Sequence, residues 1–157
     1  MVFVTLGTQD KEFPRLLKNV EELIDKGVIE DDVVAQIGST KYTSNKIKLI
    51  DYLSKDEELN YIKNSLYIIT HGGVGTIIDS LNLNKKVIAV ARLKKYKEHV
   101  NDHQLEIVNE FERLGFVING TNNLEEAIKK IDVFKPNKYQ SNNANFVKLI
   151  DEYIDNN

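Results

Sequence analysis

Leu66-Tyr67-Ile68-Ile69-Thr70-His71-Gly72-Gly73-Val74-Gly75-Thr76 decides how the rest of the chain is read. Leu66–Thr70 is short and mostly apolar, which suits a buried strand of a parallel sheet. It runs straight into His71-Gly72-Gly73, and a helix through Thr76–Leu83 follows. A strand, a glycine turn and a helix in immediate succession form the first half of a βαβ unit. The same alternation extends in both directions. Towards the amino terminus, Val2–Leu6 is a strand stopped by Gly7, and Leu16, Leu17, Val20, Leu23 and Ile24 recur at helical spacing. Asp32–Ile37 and Ile47–Leu53 are further strands, with a polar loop over 41–46 between them. Ser54 before Lys55-Asp56-Glu57 is a helix-start signal. Towards the carboxyl terminus, Lys86–Ala91 is a fifth strand and Phe116–Ile118 a short sixth. Leu105, Val108, Phe111 and Leu114 form one helical stripe that Gly115 ends. Leu124–Ile131 and Phe146–Ile154 are two more amphipathic helices. The Asn-, Lys- and Pro-containing stretch 134–145 reads as a surface linker.

Right-handed crossovers between such units predict an α/β fold. It is a Rossmann-like, doubly wound parallel sheet of about six strands with helices on both faces. The chain has 157 residues, a length for a single domain. Its core is expected over about residues 1–131, with the linker over about 134–145 and a last helix over about 146–154. Composition narrows the function classes. Hydrophobic residues make up 41% and charged residues 29%, the balance of a globular chain and not a disordered one. No apolar run approaches the ~20 residues that span a bilayer. The first residues lack a basic region and a cleavage site, so no secretory signal is expected and a cytoplasmic setting is. Cysteine is absent, which removes thiolate catalysis and cysteine-based zinc sites. Three His without a tight His/Asp cluster give no reason to expect a metal. With 21 Lys+Arg against 24 Asp+Glu, the net charge of −3 argues against a dedicated nucleic-acid binder.

In doubly wound folds, ligands sit at the carboxyl ends of the strands, where the strand order switches. Five polar or glycine-rich clusters fall at such ends: Gly7-Thr8-Gln9, Gly38-Ser39-Thr40, 52–55, His71–Thr76 and 92–103. Every strand-to-helix loop needs turn residues, so the coincidence is also compatible with plain turns. His71-Gly72-Gly73-Val74-Gly75-Thr76 goes further. Its glycines allow close backbone approach, the following helix start presents unpaired N–H groups, and Thr76 adds a hydroxyl. These suit a diphosphate. The alternative is a tight turn with close helix–sheet packing. The run is neither G-x-G-x-x-G nor a P-loop. Asp79, one turn beyond Thr76, can reach ribose hydroxyls or stand as a solvated helix residue. The stretch Arg92–Gln104 concentrates charge, amide and the remaining two His. Its Lys94, Lys95 and Lys97 suit an acidic ligand, a partner or lipid headgroups, and the plainer reading is a solvated loop. Asn101 or Asp102 is the expected helix cap. His71 beside an anion site suits a phosphate contact better than proton abstraction.

These motifs together resemble the carboxyl-terminal, donor-binding half of GT-B glycosyltransferases of family 28. The resemblance is strongest to free-standing versions of that half. Such versions include the catalytic subunit of the eukaryotic two-subunit UDP-GlcNAc transferase and the bacterial PssE/EpsF/CpsG-type subunits of exopolysaccharide and capsule synthesis. Val2–Gln9, Thr70–Thr76 and Glu98–Gln104 carry it. The resemblance implies that His71, Gly72, Gly73, Val74, Gly75 and Thr76 cradle the UDP diphosphate. Asp79 matches the ribose position, where the family usually has Glu. Tyr52 and Leu53 match the segment that receives uracil. Asp102, His103 and Gln104 match the donor-sugar segment, and Gly7, Thr8 and Gln9 line the interdomain cleft.

A chain of this length has room for one half of such an enzyme. The resemblance therefore implies a membrane-anchored acceptor-binding partner subunit, a lipid-linked saccharide acceptor, and recruitment to the inner face of the membrane. It implies inverting transfer from a UDP-sugar without a metal or other cofactor, and a general base from the partner half. The sugar is open among glucose, galactose, glucuronate and GlcNAc. A non-catalytic accessory subunit that binds a partner transferase half is the rival reading. A dehydrogenase-like nucleotide domain is disfavoured, because no G-x-G-x-x-G follows the first strand.

Overall fold

The computed structural model describes residues 1–140. Twelve elements alternate along them: β1 (Val2–Thr5), α1 (Pro14–Asp25), β2 (Val33–Gln36), β3 (Lys48–Ile50), α2 (Lys55–Asn64), β4 (Ile68–His71), α3 (Val74–Asn82), β5 (Val87–Val90), a 3-10 turn (Lys94–Tyr96), α4 (His103–Arg113), β6 (Ile118–Asn119) and α5 (Leu124–Lys130). The strands form one six-stranded sheet in the order β3-β2-β1-β4-β5-β6, with every neighbouring pair parallel. This is the doubly wound sheet that the alternating pattern predicts. The helix expected over 146–154 and the later part of the linker lie outside the described residues.

The four interior strands β1, β2, β4 and β5 are buried on both faces, so they read as mostly apolar runs and not as alternating ones. Val2 and Val4 point to one side with Leu16, Leu17, Val20 and Leu23 of α1 and with Leu124, Ala127 and Ile128 of α5. Phe3 points to the other side with Ile62 of α2, Ile77 and Leu81 of α3, and Ile107, Val108 and Phe111 of α4. Phe3 also stacks on Tyr61 of α2, ring centroids 5.5 Å apart. The central strands are four residues long, whereas the borders β3 and β6 have three and two.

Local signals explain most element ends. Ser54 and Glu57 make a reciprocal capping box at α2. Pro14 opens α1, where its missing N–H costs nothing. Gly115, at φ +77°, ends α4 in a left-handed turn. Several boundaries differ from the sequence reading; β4, for one, begins at Ile68 and takes in His71 in place of Leu66–Thr70, and three others stand out. First, α3 begins at Val74, which places Gly75 and Thr76 inside its first turn. Second, β3 stops at Ile50, leaving Tyr52 and Leu53 in the connection that follows. Third, β6 is Ile118–Asn119 in place of Phe116–Ile118, because Phe116 completes the helix stop by donating its N–H to the Phe111 carbonyl. Beyond α5, Phe134 packs on the core and the Asn137 side chain donates to the Leu114 carbonyl at 2.8 Å.

Ser54→Ala removes one half of the capping box. It is expected to lower unfolding free energy by about 1 kcal/mol in urea titrations, with the m-value unchanged.

Candidate functional site

Chain progression leaves β1 towards β2 and β3, then restarts at β4 and moves the other way to β5 and β6. The switch therefore lies between β1 and β4, the place where doubly wound folds have their ligand crevice. Gly7 follows β1 and the glycine loop follows β4. The first turn of α3 stands at this point. Its N-cap is Gly73, which has no side chain with which to cap the helix. The amides of Val74, Gly75 and Thr76 precede the first helical bond, which runs from Ile77 N to the Gly73 carbonyl. Among the described residues nothing accepts from these three. Such a helix end attracts anions.

The glycines of the loop divide into two kinds. A Cβ at Gly72 would meet Gln104 Cβ at 2.8 Å, and one at Gly73 would meet His71 Nε2 at 2.6 Å. Both are needed by the protein's own packing. A Cβ at Gly75 meets nothing within 4 Å, and Gly75 is exposed. Glycine inside a helix costs about 0.5–1 kcal/mol relative to alanine. Nothing in the fold requires that cost at Gly75, so the open space in front of it is the feature to explain.

His71 fills the floor of the crevice. Its ring is 7% exposed and lies between Gly7 and Gly73; a Cβ at Gly7 would come within 2.5 Å of Nε2. Gln104, 4% exposed, braces it. Gln104 Oε1 accepts from Gly72 N at 3.1 Å and from Arg92 N at 3.0 Å. Two backbone donors on one oxygen fix the orientation of this amide. Its nitrogen then faces His71 Nδ1 at 3.4 Å as a donor, which leaves the imidazole proton on Nε2. Burial, with the Arg92 charge second, pulls His71 from its usual 6.5 down to about 3. The ring is neutral at physiological pH and too weak a base to take a proton there.

Asp79 and the Tyr52–Leu53 segment flank the same crevice. Asp79 forms an ion pair with Lys55 at the start of α2, which joins the helix after the glycine loop to the connection after β3. Hydrogen bonding to Asp79 raises the Lys55 pKa. Tyr52 is 54% exposed, and its hydroxyl lies 2.7 Å from that of Ser39. Leu53 N donates to Gln36 Oε1 at 2.8 Å. Gln36 Nε2 donates in turn to Thr5 Oγ1 at 3.1 Å. Thr5, Gln36 and Thr70 thus form a buried polar tier under the crevice, and the Thr70 hydroxyl has no partner in it among the described residues.

The remaining site residues separate. Thr8 is exposed and Gln9 half-buried at the crevice edge. Asp102 is exposed, and its Oδ1 accepts from Lys94 N at 2.8 Å. Asp102 is the N-cap residue of α4 but its side chain does not cap the helix; Asn101, one residue earlier, accepts from His103 N at 3.0 Å through Oδ1. The stretch after β5 is less of a solvated loop than its composition suggests. Arg92 is 1% exposed and donates to the carbonyls of Leu6, Lys11 and Glu98, tying the β1 and β5 loops together. Burial lowers its pKa to about 10, so it stays charged. Glu98, 2% exposed, takes both Arg15 Nε at 2.9 Å and Arg15 Nη2 at 3.0 Å. Sequence reasoning missed Gln36, Arg92 and Arg15. A polar residue closing an apolar strand, as Gln36 and Arg92 do, was the available signal.

With this geometry in view, the relatives can be compared. The family model of the glycosyltransferase family 28 C-terminal domain matches residues 1–154. The chain belongs to that family. It is similar to the UDP-N-acetylglucosamine transferase subunit ALG13 of Candida albicans, 27% identical over 117 residues, covering 74% of this chain and 36% of the relative. The chain spans less than half the length of the curated relatives it matches, which range from 33% to 46% coverage. Among solved structures, an NMR solution structure of ALG13 aligns with a TM-score of 0.58 at 23% identity, covering 94% of this chain and 93% of that one. The UDP-GlcNAc 2-epimerase of Methanocaldococcus jannaschii aligns at 0.61 and 15% identity, covering 96% and 45%. These two likenesses show the fold alone.

The buried imidazole makes stability depend on pH. Above about 6.5 neither state of His71 binds a proton. Between 6.5 and about 3 the unfolded chain takes one and the folded chain does not, so stability falls as pH falls, by at most ~1.4 kcal/mol per unit for this group. His99, also lowered by burial, adds in the same direction. Urea midpoints taken from pH 7 to 5.5 should drop less for His71→Gln than for the parent chain.

Proposed function

We propose that this chain is the UDP-sugar-binding, catalytic subunit of a two-component inverting hexosyltransferase. One observation carries the reading: open space at Gly75 in front of three unpartnered amides, at the sheet's switch point. A diphosphate fits that combination of room, dipole and donors. Membership of family 28 supports a nucleotide-sugar ligand, and the printed names of the relatives make UDP-N-acetylglucosamine the first donor to test.

In this reading the diphosphate rests on His71–Thr76, with Thr76 adding its hydroxyl and neutral His71 offering its Nε2 proton. Asp79 receives the ribose, and the segment Tyr52–Leu53 receives uracil. Asp102 and His103 stand on the donor-sugar side. Gln104 contributes by holding Gly72 and His71 in place. An acceptor hydroxyl attacks the anomeric carbon, the glycosidic bond to the diphosphate breaks, and UDP departs. Charge grows on the leaving oxygens at that moment, and the fixed amides of α3 stabilise it. The helix end thereby performs the compensation that a divalent cation performs elsewhere. His71 is too weakly basic to take the acceptor's proton; in this reading the base comes from the acceptor-binding half, carried by a separate membrane-anchored chain. The reaction proposed is transfer to a lipid-linked saccharide, with exopolysaccharide or capsule synthesis as one setting.

Calorimetric titration of UDP and UDP-N-acetylglucosamine into the full chain tests the site. Gly75→Ala is expected to raise the melting temperature, through a helix gain of about 0.5 kcal/mol or more. Gly75→Val should weaken UDP binding at least about tenfold, by filling the space a phosphate needs. Thr76→Val should weaken it less. Undiminished UDP affinity in Gly75→Val would move the diphosphate elsewhere. Absence of nucleotide binding, with or without the partner, would favour the accessory-subunit reading.

A further inference from the structure

We propose that the loop from Lys94 to Val100 is a membrane-contacting surface that selects anionic lipid headgroups. Lys94, Lys95, Tyr96 and Lys97 are consecutive and exposed. Tyr96 is 50% exposed and Val100 is 64% exposed, two of the few large apolar side chains left in water. Three cations in four residues stand on a chain whose net charge is −3. Among the described residues none of the three forms an ion pair. The acidic residue inside the loop, Glu98, is turned inward and satisfied by Arg15 and by Leu93 N.

The loop is held, not loose. Glu98 N donates to the Leu93 carbonyl at 3.2 Å and Lys97 N to the Lys94 carbonyl at 2.9 Å, so the segment closes on itself. The Arg15 guanidinium lies 4.8 Å from the Tyr96 ring centre and supports it from below. Lys97 sits at φ +59°, a left-handed conformation where glycine or asparagine is more at home. The fold thus keeps a cation at a backbone position that disfavours it. Two clefts, of about 310 and 260 Å³, adjoin Tyr96. Arg15 lines both, with Lys18, Glu22 and Glu98 in the first and Lys95 in the second.

A bilayer surface fits this set better than an acidic polypeptide does. Lysine stems that reach out beside Tyr and Val match a headgroup layer over an apolar one, where each side chain finds both halves of its own character. The loop also leaves the sheet at the same carboxyl edge as the start of α3, so contact here would bring the crevice close to the membrane.

The test is cosedimentation of the full 157-residue chain with vesicles of phosphatidylcholine, or of phosphatidylcholine and phosphatidylglycerol in equal parts. Binding is expected to the mixed vesicles alone, falling as salt rises. Each lysine removed should lower partitioning about fivefold, and Lys94→Ser/Lys95→Ser/Lys97→Gly together roughly a hundredfold. Replacement of all three by Arg should retain binding, and Tyr96→Ser/Val100→Ser should lower it roughly tenfold. Three results overturn the proposal: no binding to mixed vesicles, equal binding to both kinds, or binding untouched by the lysine variants. Loss of polyglutamate binding in those variants, without any vesicle binding, would assign the loop to an acidic protein instead. The proposal does not depend on the transferase reading. Calorimetry with UDP on the same samples, where the loop variants should match the parent chain, separates failure of one from failure of the other.

Discussion

Pairing of β1 with β4 is the contact on which the rest of the molecule depends. Phe3, Val4 and Thr5 lie in register with Ile68, Ile69 and Thr70, although more than sixty residues separate them. A parallel pair cannot be closed by a tight turn, so the intervening chain must cross over through helices. That crossover sends one half of the sheet each way and opens a crevice between the two loops. Every polar feature of interest stands over this seam or beside it. The free helix end, the buried imidazole and the Asp79–Lys55 pair are there because two central strands meet there.

The seam is held by a network that is polar and buried. Gln36 joins Thr5 to Leu53, Gln104 joins Gly72 and His71 to Arg92, and Arg92 joins the loops after β1 and β5. Two amides and one guanidinium thereby connect the ends of five of the six strands, β1 to β5. Buried groups of this kind are costly when left unmade and strong when satisfied. The network makes the crevice floor rigid, while Gly75 and the amides beside it stay open to water. Rigidity under an open anion-binding face is what electrostatic preorganisation requires.

Much of this was legible in the residues. Strand and helix order followed from apolar runs and helical stripes, because burial on two faces leaves an unmistakable composition. Ser54 and Gly115 announced their helix boundaries through capping chemistry that is local by nature. The glycine loop could be assigned to a strand end, and the structure separates Gly72 and Gly73, which the fold itself requires, from Gly75, which it does not. The roles of Gln36 and Arg92 were hidden. Each is a polar residue at the end of an apolar run, and its partners lie on strands and loops distant in sequence. The arginine–glutamate pair was concealed for the same reason: Arg15 and Glu98 are 83 positions apart and meet only because α1 packs beside the loop after β5. Lengths of β3 and β6 were also misread, since edge strands are set by what their neighbours leave to pair with.

Those short borders have a consequence of their own. A stray extended peptide that docks on this sheet finds a template of three residues at Lys48–Ile50 and of two at Ile118–Asn119, and the four-residue apolar strands are all interior. Backbone templating is the usual route by which crowded β-rich chains coalesce, and here it has almost no length along which to proceed. Among the described residues, the sheet therefore offers little for a neighbouring chain to extend.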